Sequence, residues 1–227
     1  MAGVGILRPL IRDITGVMML RVKCLGFLVA CMVLQPVYAN DVESNIQRLL
    51  SIKSDPVQLE QAIQKGQERA MLCGYCHGKD GNSVKDNIPN LAEQNEEYLL
   101  KQFHVFANGE RKSYVMEQLS KALSEEERIN LSLYYSSLKV KSDAHLEGSE
   151  QGREKYQSFC FACHGEDGLG NKDMPRLAGQ KKVFLEETLK GFKQGKTARA
   201  HSPMVKIMKA VKASDIEPLA DYISKLP

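Results

Sequence analysis

The strongest constraint on this chain is that most of it occurs twice. Cys73-Gly-Tyr-Cys76-His77-Gly78 aligns with Cys160-Phe-Ala-Cys163-His164-Gly165 at an offset of 87 residues, and Asp80-Gly81 with Asp167-Gly168. Pro89-Asn-Leu91-Ala92-Glu-Gln94 matches Pro175-Arg-Leu177-Ala178-Gly-Gln180 at offset 86, as Phe106 and Gly109 match Phe192 and Gly195. Met116 matches Met204 at offset 88, and Leu131, Tyr134 and Leu138 match Leu219, Tyr222 and Leu226 at the same offset. So small a drift across a whole unit means two tandem copies of one domain. The copies are placed at 65–141 and 148–227, joined by the polar linker 142–147.

The pattern inside each copy is helical. Leu131, Tyr134, Tyr135 and Leu138 fall at i, i+3, i+4, i+7, the spacing of one helix face, and Leu219, Tyr222, Ile223 and Leu226 repeat it. Ser124 and Glu127 form a capping box at the start of the first of these helices. Leu99, Leu100, Phe103 and Phe106 mark a middle helix stopped by Gly109, and Leu185, Leu189 and Phe192 another stopped by Gly195. Asp55 caps a helix with Pro56 at its first position, running toward Cys73. Val42, Ile46, Leu49 and Leu50 predict one more helix in an extension, 40–64, read as a packed decoration. No alternating strand segment of useful length is present, so the chain is expected to be all-α.

The first 39 residues read as a leader. Arg8, Arg12, Arg21 and Lys23 stand against one acid, Asp13, ahead of an uncharged run from Cys24 to Leu34. That run is too short for a bilayer, which needs about 20 residues, and suits a signal-peptide hydrophobic region. Val37-Tyr38-Ala39 predicts cleavage after Ala39. A start at Met18 or Met19 gives a leader of more ordinary length. The rivals are lipoprotein processing at Leu28-Val29-Ala30-Cys31 and an uncleaved anchor. The full chain has 31 basic and 28 acidic residues. Removing the leader takes four bases and one acid and leaves the charges balanced, which excludes the basic footprint of a nucleic-acid binder. The first half carries a small negative and the second a small positive excess, a dipole able to orient the molecule in a partner's field.

Cys-x-x-Cys-His is the attachment signature of c-type haem. Two thiols one helical turn apart can add to the two vinyl groups on one haem edge, and the following imidazole then reaches the iron from the same turn. The alternatives are one four-thiolate zinc site, which leaves both His idle, and a thioredoxin-like motif, which lacks its βαβ context. The reading is therefore two covalently attached haem c groups. Cys73 and Cys76 hold the first and Cys160 and Cys163 the second, with His77 and His164 as axial iron ligands.

The sixth ligand follows from the repeat. Met116 and Met204 occupy matched positions, 39 and 40 residues after their His. His104 is the rival in the first copy, but its counterpart is Lys190. In the second copy Met174, Met208 and His201 compete, and none of them repeats. Pro203 stiffens the loop before Met204. His/Met ligation raises the reduction potential and leaves substrate no open position, which suits electron transfer. Pro89 and Pro175 lie 12 and 11 residues after their His, where a backbone carbonyl can accept the His Nδ1–H and fix the tautomer. With all four remaining cysteines engaged by haem, no disulfide is expected.

From about residue 65 the chain resembles the dihaem cytochrome c4 family of bacteria. The residues that carry the resemblance are Cys73-x-x-Cys76-His77-Gly78, Pro89-x-Leu91-Ala92-x-Gln94 and Met116, with their counterparts through Met204. Leu123-Ser124-x-Glu126-Glu127 and Tyr134-Tyr135-x-Ser137-Leu138 add to it. The resemblance implies an all-α fold of two class I cytochrome c domains, each wrapped round one haem, with a pseudo-twofold arrangement. It implies a periplasmic electron carrier in a respiratory chain, soluble or peripherally membrane-bound. Such a carrier is fed by a quinol-oxidising complex or dehydrogenase and serves a terminal oxidase. The alternatives are the cytochrome subunit of a periplasmic flavocytochrome sulfide or alcohol dehydrogenase, or a dihaem thiosulfate dehydrogenase or peroxidase. The departures are the extension 40–64, Glu93 in place of Gly179, and Val115 in place of Pro203, the last predicting a differently held Met116.

Overall fold

The computed structural model describes Met1 and residues 41–227, apart from 143–146, 173 and 197–198. The leader, Cys24, Cys31 and the cleavage site after Ala39 lie outside the described residues, as does most of the linker 142–147. The described chain is helical: α1 Asp41–Ser54, α2 Pro56–Arg69, α3 Gly74–His77, α4 Glu96–Ala107, α5 Tyr114–Ala122 and α6 Glu125–Ser137, then α7 Glu150–Phe159, α8 Phe161–His164, α9 Lys182–Gln194, α10 Met204–Ala210 and α11 Ile216–Ser224. Among the described residues no strand forms; a lone bridge joins Asn171 and Met174.

The helix ends follow local chemistry. The Asp55 carboxylate accepts from the amides of Val57 (3.0 Å) and Gln58 (3.2 Å), satisfying donors that the first turn leaves unpaired, and Pro56 opens the helix. At α6, Ser124 Oγ accepts from Glu127 N–H (3.2 Å) and the Glu127 carboxylate accepts from Ser124 N–H (2.8 Å), a complete capping box. The middle helix α4 stops at Ala107, just before Gly109 at φ 77°, and α9 stops at Gly195, φ 65°.

Each copy packs its first long helix on its last. In the first, Leu99, Phe103, Leu123, Leu131, Tyr134 and Tyr135 form the core. In the second, Tyr156, Leu185, Phe192, Leu219 and Ile223 do so. These are the faces that the heptad-like spacings predict. Helix α1 belongs to a third cluster, in which Ile46 and Leu49 bury against Ala62, Leu100, Ile129 and Leu133. Full burial of such a side chain contributes about 1.5–3 kcal/mol, so α1 is core rather than ornament for the first copy. The division at residue 64/65 falls inside α2. That helix begins at Pro56 because Asp55 caps it there, and it stands where α7 stands in the second copy.

Candidate haem sites

Each Cys-x-x-Cys-His segment folds as one helical turn. The Cys73 carbonyl accepts from Cys76 N–H (3.1 Å) and His77 N–H (2.9 Å); the Cys160 carbonyl accepts from Cys163 (3.2 Å) and His164 (3.0 Å). Gly78 and Gly165 end the turns at φ 81° and 80°. The chain then folds back identically in both copies. The Gly81 carbonyl accepts from Leu91 (2.8 Å) and Ala92 (3.1 Å), and the Gly168 carbonyl from Leu177 (2.7 Å) and Ala178 (3.1 Å). This pairing of Asp-Gly with Pro-x-Leu-Ala lays each proline over its histidine. His77 Nδ1 lies 2.9 Å from the Pro89 carbonyl and His164 Nδ1 lies 3.1 Å from the Pro175 carbonyl. A carbonyl only accepts, so Nδ1 carries the proton and the Nε2 lone pair is left for a metal.

Both imidazoles are buried. Burial holds the His77 pKa below its ordinary value, with the charge of Arg111 adding to it and the Pro89 carbonyl opposing it. Burial does the same at His164 against Pro175. The ring is therefore neutral, as an iron ligand must be. Burial also raises the thiol of Cys73, and pushes that of Cys160 up to about 12.

The structure brings the sequence-predicted residues together on two cavities. Cys76, His77, Pro89 and Met116 line one; Cys160, His164, Pro175 and Met204 line the other. Cys73 packs at the edge of the first core and Cys163 is exposed. His104 lines neither cavity; its Nε2 lies 3.1 Å from the Glu125 carboxylate. Met208 is core and His201 is exposed. Cys76 and Cys160 line different cavities, and no group of three or more His, Cys, Asp or Glu among the described residues could hold a metal ion. A shared four-thiolate zinc site is thus excluded within them.

The two methionines start their helices differently. Met116 N–H donates to Ser113 Oγ (3.4 Å), the cap of α5, while Met204 N–H donates to Ser202 Oγ (3.3 Å), with Pro203 between. Sequence reasoning missed two further cavity residues, Arg111 and Arg199, which line both cavities. They lie 88 residues apart, the offset of the methionines, and that was their signal. Arg111 stacks on Phe106 (4.4 Å) and Arg199 on Phe192 (4.8 Å), another matched pair. Burial, with Arg199 nearby, lowers the Arg111 pKa to about 10. Arg111 donates to Gln102 Oε1 (2.6 Å), and among the described residues no carboxylate forms a salt bridge with it.

The family profile described as Cytochrome c matches residues 149–227. Cytochrome c4 of Pseudomonas aeruginosa is 33% identical over 178 residues, spanning 71% of this chain and 87% of that protein. The solved structure of reduced recombinant cytochrome c4 from Pseudomonas stutzeri is similar with a TM-score of 0.64 at 31% identity, covering 72% of this chain and 98% of that one. The chain belongs to the cytochrome c4 family. A thiosulfate dehydrogenase electron acceptor from Thiomonas intermedia is also similar, 32% identical over 149 residues, 60% of this chain and 68% of that protein.

Members of the cytochrome c4 family are electron-transfer proteins and not enzymes; they have two class I cytochrome c domains and two covalently bound haem c groups, and this chain shares that architecture and cofactor. The residues on the page fit the group. Each cavity offers a tautomer-fixed imidazole, a thioether and a thiol, and cationic Arg111 suits a ligand that carries carboxylates.

Proposed function

We propose that this chain is a periplasmic dihaem shuttle that delivers electrons to a terminal oxidase. Cys73 and Cys76 hold one haem and Cys160 and Cys163 the other, within domains bounded near 65–141 and 148–227. His77 with Met116, and His164 with Met204, are the axial ligands. The observation that carries this reading is the paired arrangement itself: on each cavity a methionine accompanies a histidine whose Nδ1 bonds a proline carbonyl. When bound, haem c supplies a one-electron Fe(II)/Fe(III) couple. The chain's own part is to keep the imidazole neutral and oriented, to offer a soft sulfur on the same cavity, and to exclude water with the Leu99, Phe103 and Leu185, Leu189 walls. With both axial positions taken by side chains, no site remains for substrate.

The leader supports export after Ala39 to a soluble or peripherally bound state. No helix among the described residues is long and apolar enough to cross a membrane. The test is haem quantification with a redox titration of the mature protein, followed by oxidation of the reduced protein by membranes that hold a terminal oxidase. Two covalent haems and oxidase-dependent reoxidation are expected. One haem, or bound zinc, overturns the reading.

A second reading concerns the donor. Similarity to the electron acceptor from Thiomonas intermedia favours a dehydrogenase upstream of this chain, and reduction by a purified thiosulfate dehydrogenase tests it.

A further inference from the structure

The Pro-x-Leu-Ala-x-Gln segment explains the proline, the leucine and the alanine, but leaves each glutamine without a part in its own haem cavity's ligand set. Both glutamines are buried, and both point into the opposite domain. Gln94 Nε2 donates to the Arg176 carbonyl (2.9 Å), and the Arg176 N–H donates to Gln94 Oε1 (2.7 Å). Gln180 Nε2 donates to the Asn90 carbonyl (3.1 Å), and the Asn90 N–H donates to Gln180 Oε1 (2.8 Å). Arg176 directly follows Pro175, and Asn90 directly follows Pro89. Each carboxamide therefore closes a two-bond ring on the residue adjoining the carbonyl that holds the other domain's histidine.

We infer that Gln94 and Gln180 are reciprocal positioning residues, each fixing the His–Pro hydrogen bond of the opposite haem site. The inference rests on the ligand roles proposed for His77 and His164. The physical chain is short. A side-chain amide that satisfies both the N–H and the C=O of one buried residue leaves that peptide little freedom, because a buried polar group that loses its partner is costly. Fixing the backbone of Arg176 fixes the preceding carbonyl of Pro175, and so the strength of its bond to His164 Nδ1. A firmer bond makes the imidazole a better donor. The domain interface thus tunes each iron from the other side, and parting the domains loosens both sites.

The test uses the holoprotein with labelled histidine and follows solvent exchange of the two axial Nδ1–H protons by NMR in the reduced state. Two slowly exchanging protons in the wild type establish the ligand arrangement; their absence overturns that reading before the clasp is tested. Gln94→Ala is expected to speed exchange at His164 by roughly tenfold and to leave His77 at its wild-type rate. Gln180→Ala is expected to do the converse. Gln94→Glu keeps the acceptor for Arg176 N–H and loses the donor, so it falls between. The midpoint potential of the opposite haem rises in each alanine variant, since a weaker imidazole donor favours Fe(II). Tyr98→Phe removes another bond across the interface, to Arg199 (3.1 Å), without touching either clasp, and leaves both exchange rates unchanged. A response at the variant's own histidine, an equal response at both, the same response in Tyr98→Phe, or no response overturns the inference.

Discussion

Gly66 of α2 lies directly against Tyr134 of α6: a Cβ on the glycine would stand 2.6 Å from the tyrosine Cβ and inside contact distance of the Asn130 carbonyl. Gly152 of α7 meets Tyr222 of α11 in the same way, with its Cβ position 2.7 Å from the tyrosine Cβ and up against the Pro218 carbonyl. Each domain closes by letting two helix backbones touch, with tyrosine as the lid. Ala at either position gains helix propensity, about 1 kcal/mol, but must separate the helices, and overpacking costs about 1–3 kcal/mol. Gly66→Ala and Gly152→Ala are therefore expected to lower stability, each in its own domain. Chemical denaturation with separate tyrosine environments followed by NMR checks this; unchanged midpoints would refute the close-packed crossing.

The turns that carry His77 and His164 give a second contrast. Gly78 and Gly165 share a positive φ with extended ψ, 149° and 166°, a region held almost only by glycine that costs an L-residue about 1–3 kcal/mol. A Cβ at Gly165 meets nothing within 4 Å, whereas at Gly78 it would stand 2.6 Å from the Asn82 carbonyl carbon. Asn82 in turn holds the segment after α6, through Nδ2 to the Lys139 carbonyl (3.0 Å) and Oδ1 from Lys141 N–H (2.7 Å). Gly165→Ala should cost only the backbone term. Gly78→Ala should cost about 1–3 kcal/mol more and loosen residues 139–141, measured by hydrogen exchange of the Lys141 amide.

Much of this was legible because the sequence states it twice. The Cys-x-x-Cys-His turn, the Asp55 cap, the Ser124–Glu127 box and the Leu131–Leu138 face are local patterns, each set by residues within two turns of one another. The repeat then extended them to Pro89, Met116 and their partners, which no local pattern marks. What stayed hidden depends on contacts across the fold. Gly66 and Gly152 obey the 86-residue offset of the proline segment, yet a glycine inside a helix reads as a weak spot until the crossing partner is seen. The start of α2 at Pro56 was visible, but its role as the first helix of the domain follows only from its packing on α6. Arg111 and Arg199 belong to no local motif, and only the fold turns both toward the cavities.

Glu93 replaces the second domain's Gly179, and both residues adopt left-handed backbone, φ 58° and 66°. The strain at Glu93 is offset by what its carboxylate holds: Lys139 Nζ (3.0 Å) and Val140 N–H (3.2 Å), with Arg176 of the other domain at 3.9 Å. Partial burial raises the Glu93 pKa, but the hydrogen bonds and these cations outweigh it and leave the pKa below its ordinary value. A carboxylate with a depressed folded pKa gives stability that is fully present above its unfolded pKa, about 4.3, and is lost as pH falls through the folded value. Glu93→Gln should therefore be less stable than wild type at neutral pH, with the difference vanishing under acid. Urea midpoints measured from neutrality into strong acid check the sign; a gap that widens on acidification would refute it.

The methionine assignment makes the sharpest spectroscopic prediction. A thioether on ferric haem gives a sulfur–iron charge-transfer band, and two such sites contribute equally. Met204→Ala should remove half of that absorption and lower the potential of one haem, since thioether ligation favours Fe(II). Met116→Ala should remove the other half, and the double variant all of it. His104→Gln is the control. Its ring lies against Glu125 and is absent from the cavity lining, so the band should remain whole, while a buried polar contact is lost at about 1–3 kcal/mol. Absorption of the oxidised variants, read beside their denaturation midpoints, separates ligand from scaffold. If Met116→Ala leaves the band unchanged while His104→Gln shifts one potential, His104 is the ligand. If Met204→Ala leaves spectrum and potential unchanged, the sulfur opposite His164 comes from elsewhere.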